Sequence, residues 1–194
     1  MAISNNATGI RTGVCTSATR PTAPYEGQMI YETDTDMVAI WNGTAWRYIA
    51  ATTPTNGTVL QVVTGTTSTT VTNNSSTYVD TGLSATITPK STSSKVLILV
   101  SHPGSWKSAA SAGNGILMQI HRNGSNILQN ILYTGFTNTT MQMYFVASSD
   151  YLDSPSSTSA LTYKTVFCNN ANGDGVAVQQ SGSFSQITLM EIAG

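Results

Sequence analysis

The chain carries few side chains that could do chemistry, and their spacing argues against most reactions. It has two histidines. His102 stands before Pro103 at the end of an apolar run, and His121 just ahead of Asn123-Gly124. A nucleophilic relay needs a hydroxyl on an exposed elbow, a histidine within reach and a carboxylate behind it. Serine is abundant, but no G-x-S-x-G elbow occurs, so both histidines are expected to be structural or surface residues. Carboxylates come in two close pairs, Asp34/Asp36 and Asp150/Asp153. A glycoside hydrolase needs two acids on facing walls of a cleft, one of them held protonated. Here each pair falls among turn-forming residues, TDTD in the first case and SSDYLDSPSS in the second. The run NNANGDG (169–175) is rich in oxygen ligands but lacks the spacing and the bidentate Glu of a calcium loop. Cys15 and Cys168 are too few for a metal site and are expected to be free thiols. No catalytic residue, metal or cofactor is expected.

Recognition is the chemistry that remains. Trp106 and Tyr151 are expected in loops, and Tyr133 with Phe136 flanks another. A ring lying flat on a sugar is a common recognition device, so Trp106, Tyr133 and Tyr151 are the candidate glycan contacts. The competing expectation is that these rings cap the ends of the fold or fill a subunit interface.

Charged residues make up 9% of the chain, against roughly 25% in ordinary globular proteins. Serine and threonine number 23 and 31, beside 14 asparagines and 16 glycines. The resulting surface is polar but uncharged. It suits closely packed repeated subunits, where like charges would meet across every symmetry axis. The scattered charges form no basic stripe, which argues against nucleic-acid binding. No apolar run approaches the ~20 residues of a membrane-spanning helix, so no membrane insertion is expected. MAISNNATGIRTG has no basic region followed by an apolar one, and synthesis in a cytoplasm is expected.

These residues must be positioned by strands, because no segment of helical length shows a helical period. Residues 1–19 are polar and aperiodic, and are expected to form an extended arm ordered only against a partner. Residues 20–50 predict a three-stranded meander. Pro21 and Pro24 keep its start extended. Gln28–Glu32, Met37–Trp41 and Ala45–Ile49 are its strands, with Asn42-Gly43 as a hairpin turn. Residues 51–77 read as a linker with short strands. Residues 78–194 predict an antiparallel β-sandwich or jelly roll of about eight strands. Within it, Lys95–Ser101 is apolar on both faces and predicts a buried central strand. Asn123-Gly124 predicts a tight hairpin between Ile116–Arg122 and Ser125–Tyr133. The fold class is therefore all-β: an arm, a small meander and a sandwich.

The segment RPTAPYEGQMIYETDTDMVAIWNGTAWRYI, with the flanking GIRTGVCTSAT, resembles a segment that recurs in tail-fibre-like and other minor virion proteins of tailed bacteriophages. The resemblance implies an attachment element with Arg20, Pro21, Tyr25, Tyr31, Trp41 and Trp46 as its assembly contacts. YVDTGLSATITPKSTSSKVLILVS, IHRNGSNI and FSQITLMEI resemble the distal β-domains of phage fibres, often trimeric jelly rolls akin to tumour-necrosis-factor-like heads. Together these imply a homo-oligomer, by likeness a trimer, made in the bacterial cytoplasm and located on the virion. Its implied partners are other phage virion proteins and a host-surface glycan or protein. A capsid-decoration or head-fibre role is the alternative, and a glycan-degrading tail spike a third.

Overall fold

The computed structural model describes residues 12–49, 54–171 and 175–194, and for 129–133 the backbone alone. The first eleven residues of the expected arm, residues 50–53 and residues 172–174 lie outside the described residues. The chain forms two compact units, Met1–Thr53 and Pro54–Gly194.

The first unit is a four-stranded sheet in the order β1-β2-β3-β4: Gly13–Cys15, Met29–Glu32, Met37–Trp41 and Trp46–Ile49. The three expected meander strands are present within a residue of the expected bounds. The fourth is a difference from the sequence reading. Gly13–Cys15, expected to order only on a partner, pairs in parallel with Ile30, Tyr31 and Glu32 of the same unit. Three residues show no period, so the pairing is set by the open edge of β2, not by the local pattern. The turn after β3 also differs. Gly43 takes φ 90°, but Asn42 does not need the left-handed region. Instead its Oδ1 accepts from the backbone N–H groups of Thr44 (3.1 Å) and Ala45 (2.8 Å), and Trp41 pairs with Trp46 across a four-residue loop. The short amide side chain forms the turn by mimicking backbone.

The second unit is an antiparallel sandwich of jelly-roll type. β5 (Val59–Thr67), β14 (Ser185–Ile192), β8 (Lys95–Lys107), β11 (Met143–Asp153), β13 (Val176–Val178) and β6 (Val71–Asn73) make a six-stranded sheet. β10 (Ser125–Thr134), β9 (Ile116–Arg122), β12 (Leu161–Asn169) and β7 (Val79–Ile87) make a four-stranded one. Most consecutive strands cross between the sheets, so most pairings are non-local. Residues 54–77, read as linker with short strands, therefore supply two strands of the larger sheet.

Alternation explains the packing. In β7, Thr81, Leu83, Ala85 and Ile87 are buried while every residue between them is exposed. Leu83, Ala85 and Ile87 meet Val96, Ile98, Val100, Ile120, Tyr163, Ile187 and Leu189 in one core cluster. Ile116, Met118, Ala147, Phe167, Val176 and Val178 form a second toward the other end. The Asn123-Gly124 hairpin forms as expected, with φ 48° and 86° at the two positions.

β8 is longer than the sequence indicates. It runs through Pro103 and Gly104 and on past Trp106, expected in a loop, to Lys107. Proline cannot donate to a ladder, yet β8 tolerates it here. On one edge its pairing with β14 ends at Ser101 and that with β13 begins at Trp106. On the other edge a register shift separates Ala147 opposite His102 from Phe145 opposite Ser105. Pro103 sits in this gap and bulge, where no hydrogen bond is lost.

Candidate functional site

In the first unit, one face of the sheet carries Ile30, Glu32 and Ala39, all buried, with Trp41 and Trp46 half-buried and Tyr48 40% exposed at its edge. Glu32 is fully buried and holds the unit together. Arg20 grips its carboxylate with Nε on Oε1 and a second guanidinium nitrogen on Oε2 (3.1 Å). Tyr48 donates its hydroxyl to Oε2 (2.9 Å), and Thr35 does the same at 3.2 Å. The guanidinium beside it holds the Glu32 carboxyl below the usual carboxylate range. The guanidinium carbon also lies 5.6 Å from the Tyr48 ring centroid. Trp41 and Trp46 pack edge-to-face with centroids 5.6 Å apart. Asp34 accepts from the Ser17 backbone N–H at 2.9 Å, and Tyr31 donates to Asp36. The Asp34/Asp36 pair is thus used in tying the unit to itself.

The other face of the same sheet is open. Cross-strand register places Val14, Tyr31, Val38 and Ile49 in one row across all four strands, with Met29, Ile40 and the exposed Arg47 in the next. Val14 is 69% exposed, Ile49 50% and Met29 41%. Of the six residues expected as assembly contacts, Tyr31 lies on this open face and Tyr25 is exposed in the preceding loop. Arg20, Trp41 and Trp46 build the covered face instead, and Pro21 is half-buried beside Arg20. Val14, Val38 and Ile49 were missed, because a four-stranded row shows only once β1 is known to pair with β2.

In the sandwich, the aromatic candidates stand on strands. Trp106 is half-buried on β8, its indole Nε1 buried without an acceptor among the described residues. Tyr151 lies on β11 and packs half-buried against the core, so it faces inward. Tyr133 falls on β10, where only the backbone is described. The three do not form a common site.

The candidate chemical groups are likewise separated. An odd spacing on a strand puts Asp150 and Asp153 on opposite faces. Asp150 is exposed on the outer face. Asp153 is buried and accepts from Arg122 (2.7 Å) and from Tyr163 (2.7 Å). His102 is fully buried between the sheets. Its Nδ1 is 2.7 Å from Ser185 Oγ, and its Nε2 is 3.1 Å from Thr165 Oγ1, where a relay would need a carboxylate. Burial pushes its pKa down to about 4, so the ring is neutral. His121 bonds to Gln119 at 2.8 Å. Cys15 lies on β1 and Cys168 is buried on β12, both free thiols. No cluster of three or more metal-ligating side chains occurs among the described residues.

The outer face of the six-stranded sheet is uncharged over most of its width. Val62, Met190, Leu97 and Leu152 form one apolar row through β5, β14, β8 and β11. Val62 is 53% exposed and Leu152 47%. No helix among the described residues is long and apolar enough to cross a membrane. No protein-family model matches this sequence, and no curated protein matches it.

Proposed function

We propose that the chain is a structural component of a bacteriophage virion, an oligomeric and by likeness trimeric fibre or tip protein. The first unit anchors it to another virion protein, and the sandwich is displayed for attachment to the host surface. One observation carries this reading: the open apolar face of the N-terminal sheet, Val14, Tyr31, Val38 and Ile49 in one row. A four-stranded sheet gains little stability from one covered face alone, and an apolar row left in water is the usual mark of a docking surface. The tail-fibre-like sequence lies on this same unit and supports a virion protein as the occupant. No catalysis is part of this reading.

A capsid-decoration or head-fibre role uses the same mounting. It is favoured by the absence of a shaft among the described residues: the first unit ends at Thr53 and the sandwich begins with β5 at Val59.

The test is incorporation. A chain lacking residues 1–53 should fold and self-associate but stay off the particle, and Val38→Asp in the full chain should do the same. Assembly of the truncated chain onto particles would refute the anchoring role. Labelling particles with antibody to the sandwich separates head from tail.

A further inference from the structure

We propose that a groove on the outer face of the six-stranded sheet binds a neutral saccharide. The assignment rests on the display role above and gives it a ligand class. The groove encloses about 790 Å³ over β14, β8 and β11. Register sets its walls. Gln186, Ser101 and Ser148 stand in one row, and Thr188, Leu99 and Asp150 in the next. Phe184, 60% exposed, and Pro103 lie beyond the Ser101 row.

The polar groups suit a polyol. Among the described residues Asp150 is the only charged one lining the groove, and no described group donates a hydrogen bond to its carboxylate. Two free acceptor oxygens can take both hydroxyls of a vicinal diol, and such charge-assisted bonds are the stronger kind. Gln186 and the serine and threonine hydroxyls both donate and accept, as sugar hydroxyls do. Phe184 and Leu99 offer apolar surface to the C–H face of a ring. An anionic sugar would meet Asp150 as a like charge. An apolar peptide would leave the Asp150 carboxylate and the Ser101 and Ser148 hydroxyls unpaired, whereas Gln186 already donates to Thr188 (3.0 Å).

The rim that carries Phe184 is built with strain. Gln179 (φ 55°), Ser181 (φ 58°) and Gly182 (φ 72°) all take the left-handed region within four residues. Non-glycine residues persist there only where their surroundings over-determine them. The surroundings here are the buried cluster under the groove: the Gln179 amide is 2.8 Å from Ser185 Oγ and 3.1 Å from His102 Nδ1. The loop is thus locked from below, and the backbone that carries Phe184 is fixed before any ligand arrives.

The full-length protein, with Asp150→Asn, Phe184→Ala and Gln186→Ala variants, should be titrated against neutral and anionic bacterial-surface oligosaccharides. The wild type should bind neutral members. Asp150→Asn and Phe184→Ala should weaken binding roughly tenfold or more, with circular dichroism and sedimentation unchanged. Equal binding by the variants, or preference for anionic sugars, would overturn the assignment. So would a changed subunit count in Asp150→Asn or Phe184→Ala, because the groove would then be a contact between copies. Inhibition of host adsorption by a wild type that binds no saccharide would sink the groove and spare the display role. A wild type that neither inhibits adsorption nor binds would sink both.

Discussion

Arg122 on β9 and Asp153 on β11 form an ion pair across the two sheets of the sandwich, Nη1 to Oδ2 at 2.7 Å. Tyr163 on β12, itself fully buried, donates to the same oxygen. Asp153→Ala would leave a partly buried guanidinium and a buried hydroxyl without their acceptor. Thermal or urea unfolding should show a loss of about 2–3 kcal/mol. A loss near zero would mean that solvent reaches the pair and replaces it.

The sandwich should weaken in mild acid. His102 titrates near 4 in the fold and near 6.5 when unfolded. A lowered pKa means stability is full above about 6.5 and is lost as pH falls toward 4, because the unfolded chain takes up the proton first. The loss should total about 3 kcal/mol. His102→Gln should flatten the stability curve over that window, while the wild type slopes. Parallel curves for the two proteins would assign the acid sensitivity elsewhere.

Gly65 on β5 should tolerate no side chain. A Cβ there would lie 2.0 Å from the Ser84 carbonyl oxygen and 3.2 Å from an Ile187 methyl. The obstacle is backbone of β7, so the sheets would have to separate locally. Gly65→Ala should cost roughly 2 kcal/mol or more in unfolding experiments. Gly57→Ala, where the same atom meets nothing within 4 Å but φ is 88°, should show only a backbone penalty of about 1 kcal/mol.

The N-terminal sheet should depend on Glu32 staying ionised. Arg20 holds the carboxyl below its usual range, so the stabilisation is present above pH 4.5 and disappears as pH falls through the lower folded value. Trp41 and Trp46 report on this unit. Their fluorescence in Glu32→Gln should resemble that of the acid form at neutral pH. An unchanged spectrum would show that Arg20 and Tyr48 do not rely on the charge.

Residues with a strong local signal are where sequence and structure agree. The alternation of Val79–Ile87 sends four side chains inward, and Asn123-Gly124 takes the two left-handed positions a tight hairpin requires. The apolar run from Lys95 also forms the central strand expected of it. These features come from period and backbone preference, which neighbours in the chain decide. The all-β class and a sandwich of two sheets follow from them.

Other placements depended on strands far apart in the chain. Pro103 sits within a strand because β14 stops pairing just before it and β13 starts just after it. Asp150 and Asp153 divide between groove and core because both belong to β11, where the sequence suggested turn-forming residues. Phe184 reaches a groove whose other walls come from β8 and β11. The open N-terminal row needed β1, a strand too short to show any pattern. Short-range preference determines which segments extend and which turn. Only burial summed over distant strands decides which face is covered and which is left exposed.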